Sequence, residues 1–119
     1  MTWEIEYTDE FEAWWMGLTI DEQGSIDQAV DALVRQGPAL GRPWADTIKT
    51  SRHSHMKELR PRRGHLRVLF AFDPRRTAIL LIGGDKTGHW ETWYVHMVPV
   101  ADRLYDQHLT TLQHEGETP

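Results

Sequence analysis

The sequence contains no cysteine among its 119 residues, and it has no long hydrophobic run. The first absence excludes disulfide bonds and thiolate metal sites. The longest apolar run, residues 78–82, is far shorter than the roughly 20 residues that cross a membrane as a helix. The N-terminal residues are acidic rather than apolar, so no signal peptide is predicted. We therefore expect a single cytoplasmic domain, which is typical of this length.

Acidic residues are scarce in one part of the chain. Residues 49–76 hold nine basic residues but only two acidic ones, Glu58 and Asp73, which is a net charge of +7. The remaining residues include four basic and sixteen acidic ones, a net charge of −12, and the whole chain carries −5. This uneven distribution favours a polyanion-binding surface on an otherwise acidic protein. The alternative is a solvated basic hairpin that binds no ligand.

The first third of the chain predicts a strand followed by two helices. Residues 3–7 alternate aromatic or β-branched residues with glutamate, which indicates a β-strand. Asp9 is the expected cap of the first helix, with Glu12 three residues later as in a capping box. Asp21 is the expected cap of the second helix, which ends at Gly37 and the proline after it. The two helices are expected to form an antiparallel hairpin.

The middle of the chain predicts a loop and then three strands. Residues 38–55 begin with glycine and proline breakers and are expected to have little regular structure. The runs Met56–Arg60, Leu66–Phe72 and Thr77–Ile82 are separated by short turns, which predicts an antiparallel meander. The middle run is almost entirely apolar, so it is expected to be central and covered. Residues 83–88 are rich in glycine and are interpreted as the exit from the last strand.

The C-terminal part predicts one further helix. Pro99 is expected at its first turn, where a helix tolerates proline, and the apolar residues after it recur at helical spacing. The tail from about residue 114 is expected to be disordered. The predicted fold class is α+β, with an N-terminal strand and helical hairpin packed on an antiparallel meander, and with a C-terminal helix.

Alternation along the strands brings candidate functional cations together. Successive side chains of a strand point to opposite faces. Arg67 is therefore expected on an open, concave face, with Arg60 beside it and Lys86 in the adjacent glycine-rich loop. The bulky residues of the same strand are expected to meet the helices on the other face: Val68, Phe70 and Phe72. Three cations at one concavity suit a phosphodiester, which arginine binds through its planar fork. The alternative is that Arg67 only pairs with Glu58.

Other chemistries find little support in the sequence. His53 and His55 have no third ligand at a suitable spacing nearby, so surface histidines are favoured over a zinc site. Residues 83–87 lack the spaced glycines of a P-loop, and no GxSxG motif is present. We therefore expect neither a metal ion nor a cofactor.

Several motifs, taken in order along the chain, resemble one toxin family. They are LGRP (40–43), MKELR (56–60), RVLFAFDP (67–74) and GGDK (83–86), followed by Trp93-Tyr94, Ala101-Asp102, Tyr105 and His108-Leu109. This set is similar to the phage-derived HigB-like subgroup of the RelE/ParE superfamily, whose members are toxins of type II toxin–antitoxin systems. The resemblance covers almost the whole chain, residues 3–112.

The resemblance implies a strand–helix–helix–meander fold and an activity on RNA. Many members of the family are mRNA interferases, endoribonucleases that cleave messenger RNA on the ribosome, and a helix-turn-helix antitoxin from a neighbouring reading frame inhibits them. Relatives of the ParE type have the same fold and poison DNA gyrase instead, because a fold does not fix a function. A remnant that binds its antitoxin without catalysis is the other alternative.

The resemblance also implies roles for individual residues. Arg67 matches the arginine that contacts the scissile phosphate, Arg60 matches a basic position at the end of the preceding strand, and Lys86 matches a basic residue after the following strand. The implied reaction is metal-independent attack of a 2′-hydroxyl on its own phosphate, which leaves a cyclic phosphate and a 5′-hydroxyl.

The general base and the path of the RNA stay open at this stage. Glu58 stands where several relatives have lysine, so Lys86, Tyr94 and His96 are further candidates for the base. The remaining RNA-binding candidates belong to the basic segment: Lys57, Arg62, Arg63 and His65.

The helical half of the chain is the expected docking surface for the antitoxin. Residues 9–46 hold eight acidic residues against only Arg35 and Arg42. A basic antitoxin therefore has a complementary surface there, and we expect it to dock on the helices rather than to plug the catalytic concavity.

Overall fold

The computed structural model describes residues 2–116, which form a five-stranded mixed sheet with helices on both faces. The elements follow in the order β1 (Ile5–Tyr7), α1 (Asp9–Met16), α2 (Ile20–Gln36), a 3-10 turn (Gly37–Ala39), β2 (Ala45–Thr47), β3 (Lys57–Leu59), β4 (Leu66–Phe72), β5 (Ala78–Asp85) and α3 (Trp90–His114). The predicted α+β class is confirmed. Of the tail predicted to be disordered, residues 117–119 lie outside the described residues.

The strand order is β1-β5-β4-β3-β2, with β1 parallel to β5 and all other neighbours antiparallel. The predicted meander is therefore confirmed as β3, β4 and β5. The expectation of a loop through residues 38–55 is wrong at Ala45–Thr47, which form an edge strand against β3. Three residues are too few to show a period of two, so pairing with β3 decides their conformation.

The helix caps differ from their predicted positions. The cap of α1 is Thr8, whose Oγ1 accepts from the backbone N–H three residues later at 3.0 Å, and Asp9 is the first helical residue. The cap of α2 is Thr19, which forms a capping box with Glu22. Asp9 and Asp21 instead lie in the first turns, where a carboxylate interacts favourably with the helix dipole.

Helix α3 begins nine residues earlier than predicted, at Trp90 rather than at Pro99. Pro99 cannot donate a hydrogen bond to the carbonyl of Val95 one turn before it. Both residues are exposed, so water can satisfy that carbonyl and the helix continues through the proline. Among residues 2–116, none of the helices combines the length and hydropathy needed to span a lipid bilayer.

The two faces of the sheet bury separate cores. Val68 and Phe70 of β4 pack with residues of α1 and α2, as predicted, in the cluster that contains Phe11, Ile26, Ala29 and Leu33. On the other face Leu69 and Ala71 pack against α3, in the cluster that contains Trp93, Val98, Ala101 and Leu104. The expectation that this second face is open is therefore wrong, because the longer α3 covers it.

Two glycines predicted to lie in a loop belong to strand β5. A Cβ on Gly83 would lie 2.1 Å from the Trp14 ring, and one on Gly84 would lie 2.5 Å from the Trp93 ring. Only glycine lets an indole approach the strand so closely, and the two indoles come from opposite faces. Lys86 consequently follows directly after a strand whose last residues, Gly83–Asp85, are paired with β4.

Candidate active site

A cluster of polar side chains is buried between the sheet and α3, around the carboxylate of Glu58. Tyr94 of α3 donates from its hydroxyl to Glu58 Oε1 over 2.6 Å. Arg67 of β4 places its Nε 3.5 Å from the same oxygen. Glu58 pairs in register with Leu69, so Arg67 lies two residues along β4 on the same face. We call Glu58, Arg67, Lys86 and Tyr94 the polar cluster.

Arg67 is buried, with 6% of its surface exposed, and its hydrogen bonds are incomplete. Its Nη1 donates to the carbonyl of Leu66 over 2.7 Å. Within residues 2–116, no acceptor meets hydrogen-bond criteria for its buried Nε, which faces Glu58 only at ion-pair distance. A buried donor without an acceptor is costly, so this atom is suited to an incoming anionic oxygen.

Lys86 is the second buried cation of the cluster, with 4% of its surface exposed. Its Nζ lies 3.4 Å from the Tyr94 hydroxyl and 4.1 Å from the centre of the Trp90 ring. Burial, with the nearby positive charge of Arg67, lowers the pKa of Lys86 below its ordinary value. Its ammonium group therefore gives up a proton more readily than that of an exposed lysine.

Tyr94 acts in this cluster as a hydrogen-bond donor. Burial, together with the hydrogen bond to Glu58, raises the pKa of Tyr94 to about 12. The phenol therefore stays protonated at neutral pH, which argues against Tyr94 as the general base. Glu58 and Lys86 are the two members of the cluster that can accept a proton.

Of the other two predicted catalytic residues, Arg60 lies near this cluster and His96 does not contact it. Arg60 follows β3, is half-buried, and its positive charge contributes to the lowered pKa of Lys86. His96 lies on the exposed side of α3, and the hydrogen bonds and ion pairs found within residues 2–116 do not connect it with the cluster.

The predicted RNA-binding residues do not form one surface. Lys57 alternates with Glu58, so it points to the opposite face of the sheet. Arg62 lies over the Trp44 ring and Arg63 pairs with Asp21 at the start of α2. Only His65 is beside the cluster: its carbonyl accepts from the backbone N–H of Lys86 over 3.1 Å.

The basic segment is likewise spread over the molecule by ion pairs, several of them with acidic residues outside it. Arg52 pairs with Asp106, and Arg75 bridges Asp73 and Glu6. Burial works against the ionised form of Asp73, but hydrogen bonds from His108 and Arg75 outweigh it and lower the pKa of this carboxyl. The charge of +7 counted along the sequence is therefore not one continuous patch.

Trp90 is the residue beside the cluster that the sequence analysis did not assign. Its ring lies 5.0 Å from that of His65 and directly over Lys86. The sequence showed only that an aromatic residue follows a glycine-rich connection, and this pattern does not predict the direction of the ring. Among residues 2–116, no group of three or more histidine, aspartate or glutamate side chains is arranged to hold a metal ion.

Comparison with known proteins assigns the chain to a family. The model of the phage-derived Gp49-like protein family matches residues 13–106. The chain belongs to this family. The Gp49-like chain is also 45% identical, over 107 residues, to the toxin candidate HigB3 of Mycobacterium tuberculosis, and the match covers 90% of this chain and 93% of that protein.

Solved structures show the same fold in RelE-type proteins. The isolated RelE toxin of E. coli superposes on the Gp49-like chain with a TM-score of 0.61 and 7% sequence identity, covering 81% of this chain and 98% of RelE. The toxin–antitoxin complex RelBE2 of Mycobacterium tuberculosis matches with a TM-score of 0.55 and 14% identity, covering 71% and 99% of the two chains. The Gp49-like chain thus has a HigB protein as a relative and has the fold of the RelE-type proteins, as its sequence motifs suggested.

Proposed function

We propose that this chain is the toxin of a type II toxin–antitoxin system and that it is an endoribonuclease, an mRNA interferase, acting on messenger RNA at the ribosome. The observation that carries the proposal is the buried Nε of Arg67, which lacks a hydrogen bond and lies with Lys86 and the Tyr94 hydroxyl around one carboxylate. Two cations and a neutral donor in a site of low dielectric constant can hold a phosphate and stabilise charge that develops on it.

In the proposed reaction, the oxygen of a 2′-hydroxyl bonds to the adjacent phosphorus and the bond to the 5′-oxygen breaks. The products are a 2′,3′-cyclic phosphate and a 5′-hydroxyl that has taken up a proton. Arg67 and Lys86 stabilise the charged phosphorane, and Tyr94 donates a hydrogen bond to it. Glu58 or a neutral Lys86 accepts the proton of the attacking hydroxyl, because both lie within the cluster and can bind it.

The ribosome has a defined part in this proposal. Arg67 and Lys86 are each less than a tenth exposed, so RNA that is free in solution binds there but seldom takes up a conformation that can react. Their burial favours a substrate that is already held in an extended form, which a ribosome supplies for the message it carries. The 2′-hydroxyl and the phosphate that it attacks belong to the same RNA molecule, so holding them in line for attack supplies much of the rate acceleration.

The Arg67–Glu58 ion pair favours a second candidate function, a remnant that binds its antitoxin without catalysis. In a catalytic toxin the phosphate has to displace Glu58 from both Arg67 and Tyr94. In a remnant the ion pair between Arg67 and Glu58 stays intact, and the two buried charges only compensate each other. The same fold in a gyrase poison is the third possibility.

Induced expression followed by primer extension on cellular messages distinguishes these functions. An endoribonuclease is expected to give discrete new 5′ ends and to stop protein synthesis before DNA synthesis, and Arg67→Lys, which keeps the charge but loses the fork, should give none of the ends. DNA synthesis that stops first, with a DNA-damage response, would identify a gyrase poison. Normal growth with no new ends would identify a remnant. If the reaction is metal-independent, excess chelator should lower cleavage no further than its effect on the ribosomes themselves explains.

We further propose that a helix-turn-helix antitoxin binds the α1–α2 side of the protein. A groove of about 420 Å³ lies there between β1, α1 and α2, with apolar walls formed by Ile5, Phe11, Trp15, Ile26, Val30 and Leu80. Glu12 and Asp27 also line it. An antitoxin segment with apolar anchors and basic neighbours fits this chemistry, and it would leave the polar cluster on the other face uncovered.

A further inference from the structure

Trp90 is the most exposed of the six tryptophans, with 51% of its surface accessible. The other five are buried or half-buried: four of them pack in the two cores, and Trp3 packs edge-on against Phe72. An indole left half in water contributes less to folding than a buried one, since the stabilisation grows with the apolar area removed from water. The position of Trp90 is therefore not explained by packing of the fold.

The connection between β5 and α3 holds this ring beside the polar cluster. Asp85 accepts from the backbone N–H of Thr87 over 2.8 Å, and Gly88 has a φ of 79°, a left-handed conformation that glycine adopts without strain. The chain thereby turns back so that α3 starts with Trp90 over Lys86, 4.1 Å from the Nζ to the ring centre.

We propose that the Trp90 ring is the platform on which a nucleobase of the RNA stacks, next to the phosphate held by the polar cluster. This inference rests on the proposed function. The Nζ of Lys86 contacts both the Trp90 ring and the Tyr94 hydroxyl. A phosphate at the cluster therefore places a base of the same or the adjoining nucleotide within reach of the indole.

The chemistry of the surroundings suits single-stranded RNA. Unpaired bases are bound mainly by stacking on aromatic side chains, with cations nearby for the backbone. His65, with its ring 5.0 Å from Trp90, widens the aromatic surface. Because Arg67 and Lys86 are buried whereas Trp90 is exposed, the base makes its contact at the entrance of the site and the phosphate makes its contact inside.

Binding of a short 2′-O-methyl oligoribonucleotide tests the inference, because this probe cannot undergo attack by its own 2′-hydroxyl. Trp90→Leu should weaken binding by about 5- to 150-fold, the range for loss of one stacked base. Trp90→Phe, which keeps a smaller ring, should lose less. Met16→Ala, which truncates another exposed apolar side chain on the opposite helix pair, is the matched control and should bind as the unmodified protein does.

A set of probes with one abasic nucleotide each makes the test specific for stacking. Removal of the base at one position of the probe should weaken its binding to the unmodified protein as much as the Trp90→Leu substitution weakens binding of the intact probe. The Trp90→Leu protein should bind that abasic probe as well as it binds the intact probe. Additive losses at every position, equal binding by Trp90→Leu, or no binding by the unmodified protein at low salt would each overturn the inference. The proposed function is judged separately by the primer-extension experiment, so the two can fail independently.

Discussion

Strand β4 contributes different kinds of side chain to the two faces of the sheet. On the side of α1 and α2, β4 contributes Val68 and Phe70 to an apolar core. On the side of α3, the alternate residues begin with Arg67, whose charge is buried beside Glu58. Both faces are stabilised by apolar burial, and the second also contains the polar cluster, whose hydrogen bonds are incomplete. The comparison indicates that changes in either apolar core affect mainly stability, and changes in the polar cluster affect mainly the proposed chemistry.

The largest expected effect is that of Arg67 on cleavage. Loss of one preorganised, charge-assisted contact to a transition state lowers a rate by about 10²- to 10³-fold. Arg67→Ala should therefore abolish growth arrest and message cleavage. Full toxicity of a soluble Arg67→Ala protein would show that another group holds the phosphate.

Burial of the Arg67–Glu58 pair requires a control for folding in that experiment. Removing one partner of a buried ion pair leaves the other charge uncompensated and destabilises a protein by about 3–5 kcal/mol. Arg67→Ala/Glu58→Ala removes both charges and should recover part of that stability while staying inactive. Urea unfolding of the single and double variants measures the difference. Arg60→Ala and Lys86→Ala should lower activity less than Arg67→Ala does.

The paired glycines of β5 offer a comparison of the two faces within one strand. A methyl group at Gly83 collides with Trp14, and one at Gly84 collides with Trp93. Each alanine substitution should lower the free energy of unfolding by about 1–3 kcal/mol, the usual cost of overpacking. Trp93 packs against Tyr94, with ring centres 5.0 Å apart. Gly84→Ala should therefore also lower cleavage by the folded protein, whereas Gly83→Ala should not.

If folded Gly83→Ala and Gly84→Ala cleave RNA equally well, the prediction that only the α3 face affects cleavage is wrong. Gly83→Ala/Trp14→Leu is a useful further variant, because the smaller side chain makes room for the new methyl group. It should be more stable than Gly83→Ala alone if the predicted collision is the cause.

Antitoxin binding should respond to charges on one face only. The probe is the proposed antitoxin, to be sought as a helix-turn-helix protein in a neighbouring reading frame. Glu12→Lys/Asp27→Lys should slow its association about tenfold at low salt, with less effect at high salt. Arg60→Ala/Arg67→Ala should leave the affinity nearly unchanged. A large loss of affinity in the arginine variant would mean that the antitoxin covers the polar cluster.

The smallest expected effect is a pH dependence from Tyr94. Its pKa rises from 10.0 to about 12 on folding, so between these values the folded phenol keeps a proton that the unfolded chain has lost. The stabilisation from Tyr94 is therefore complete below pH 10 and decreases as the pH rises towards 12. Urea unfolding across this range should show the decrease, and Tyr94→Phe should reduce it. Tyr7→Phe, which removes the hydroxyl of an exposed tyrosine, is the matched control.

The sequence predicted best those elements whose own pattern determines them. The apolar run Leu66–Phe72, bounded by turns, is strand β4 residue for residue. The pairing of Arg67 with Glu58 was the alternative interpretation of the sequence, and the structure shows this pair. Alternation along the strands predicted that the two residues share a face, but the register of β3 against β4 decides that they meet. The cap positions were displaced because Thr8 and Asp9 are both suitable caps, and only the contact of Thr8 with the carbonyl of Leu81 distinguishes them.

The rest depended on contacts between distant parts of the chain. A helix expected to begin at Pro99 gives Tyr94 and His96 no defined face, so both were equal candidates for the site. With α3 starting at Trp90, Tyr94 turns towards Glu58 and His96 turns towards solvent. The spread of the basic segment could not be foreseen either, because several of its ion-pair partners, such as Asp106 for Arg52 and Glu6 for Arg75, lie far away in the sequence.

Strands β1 and β2 form the two borders of the sheet, and each is only three residues long. A long border strand presents a row of backbone donors and acceptors on which a further strand can assemble. Strands β1 and β2 offer few backbone donors and acceptors to a strand of another molecule. Glu4 and Glu6 also place negative charges beside those of β1. A copy of the chain that has bound no partner is thereby protected against assembly with other copies into aggregates.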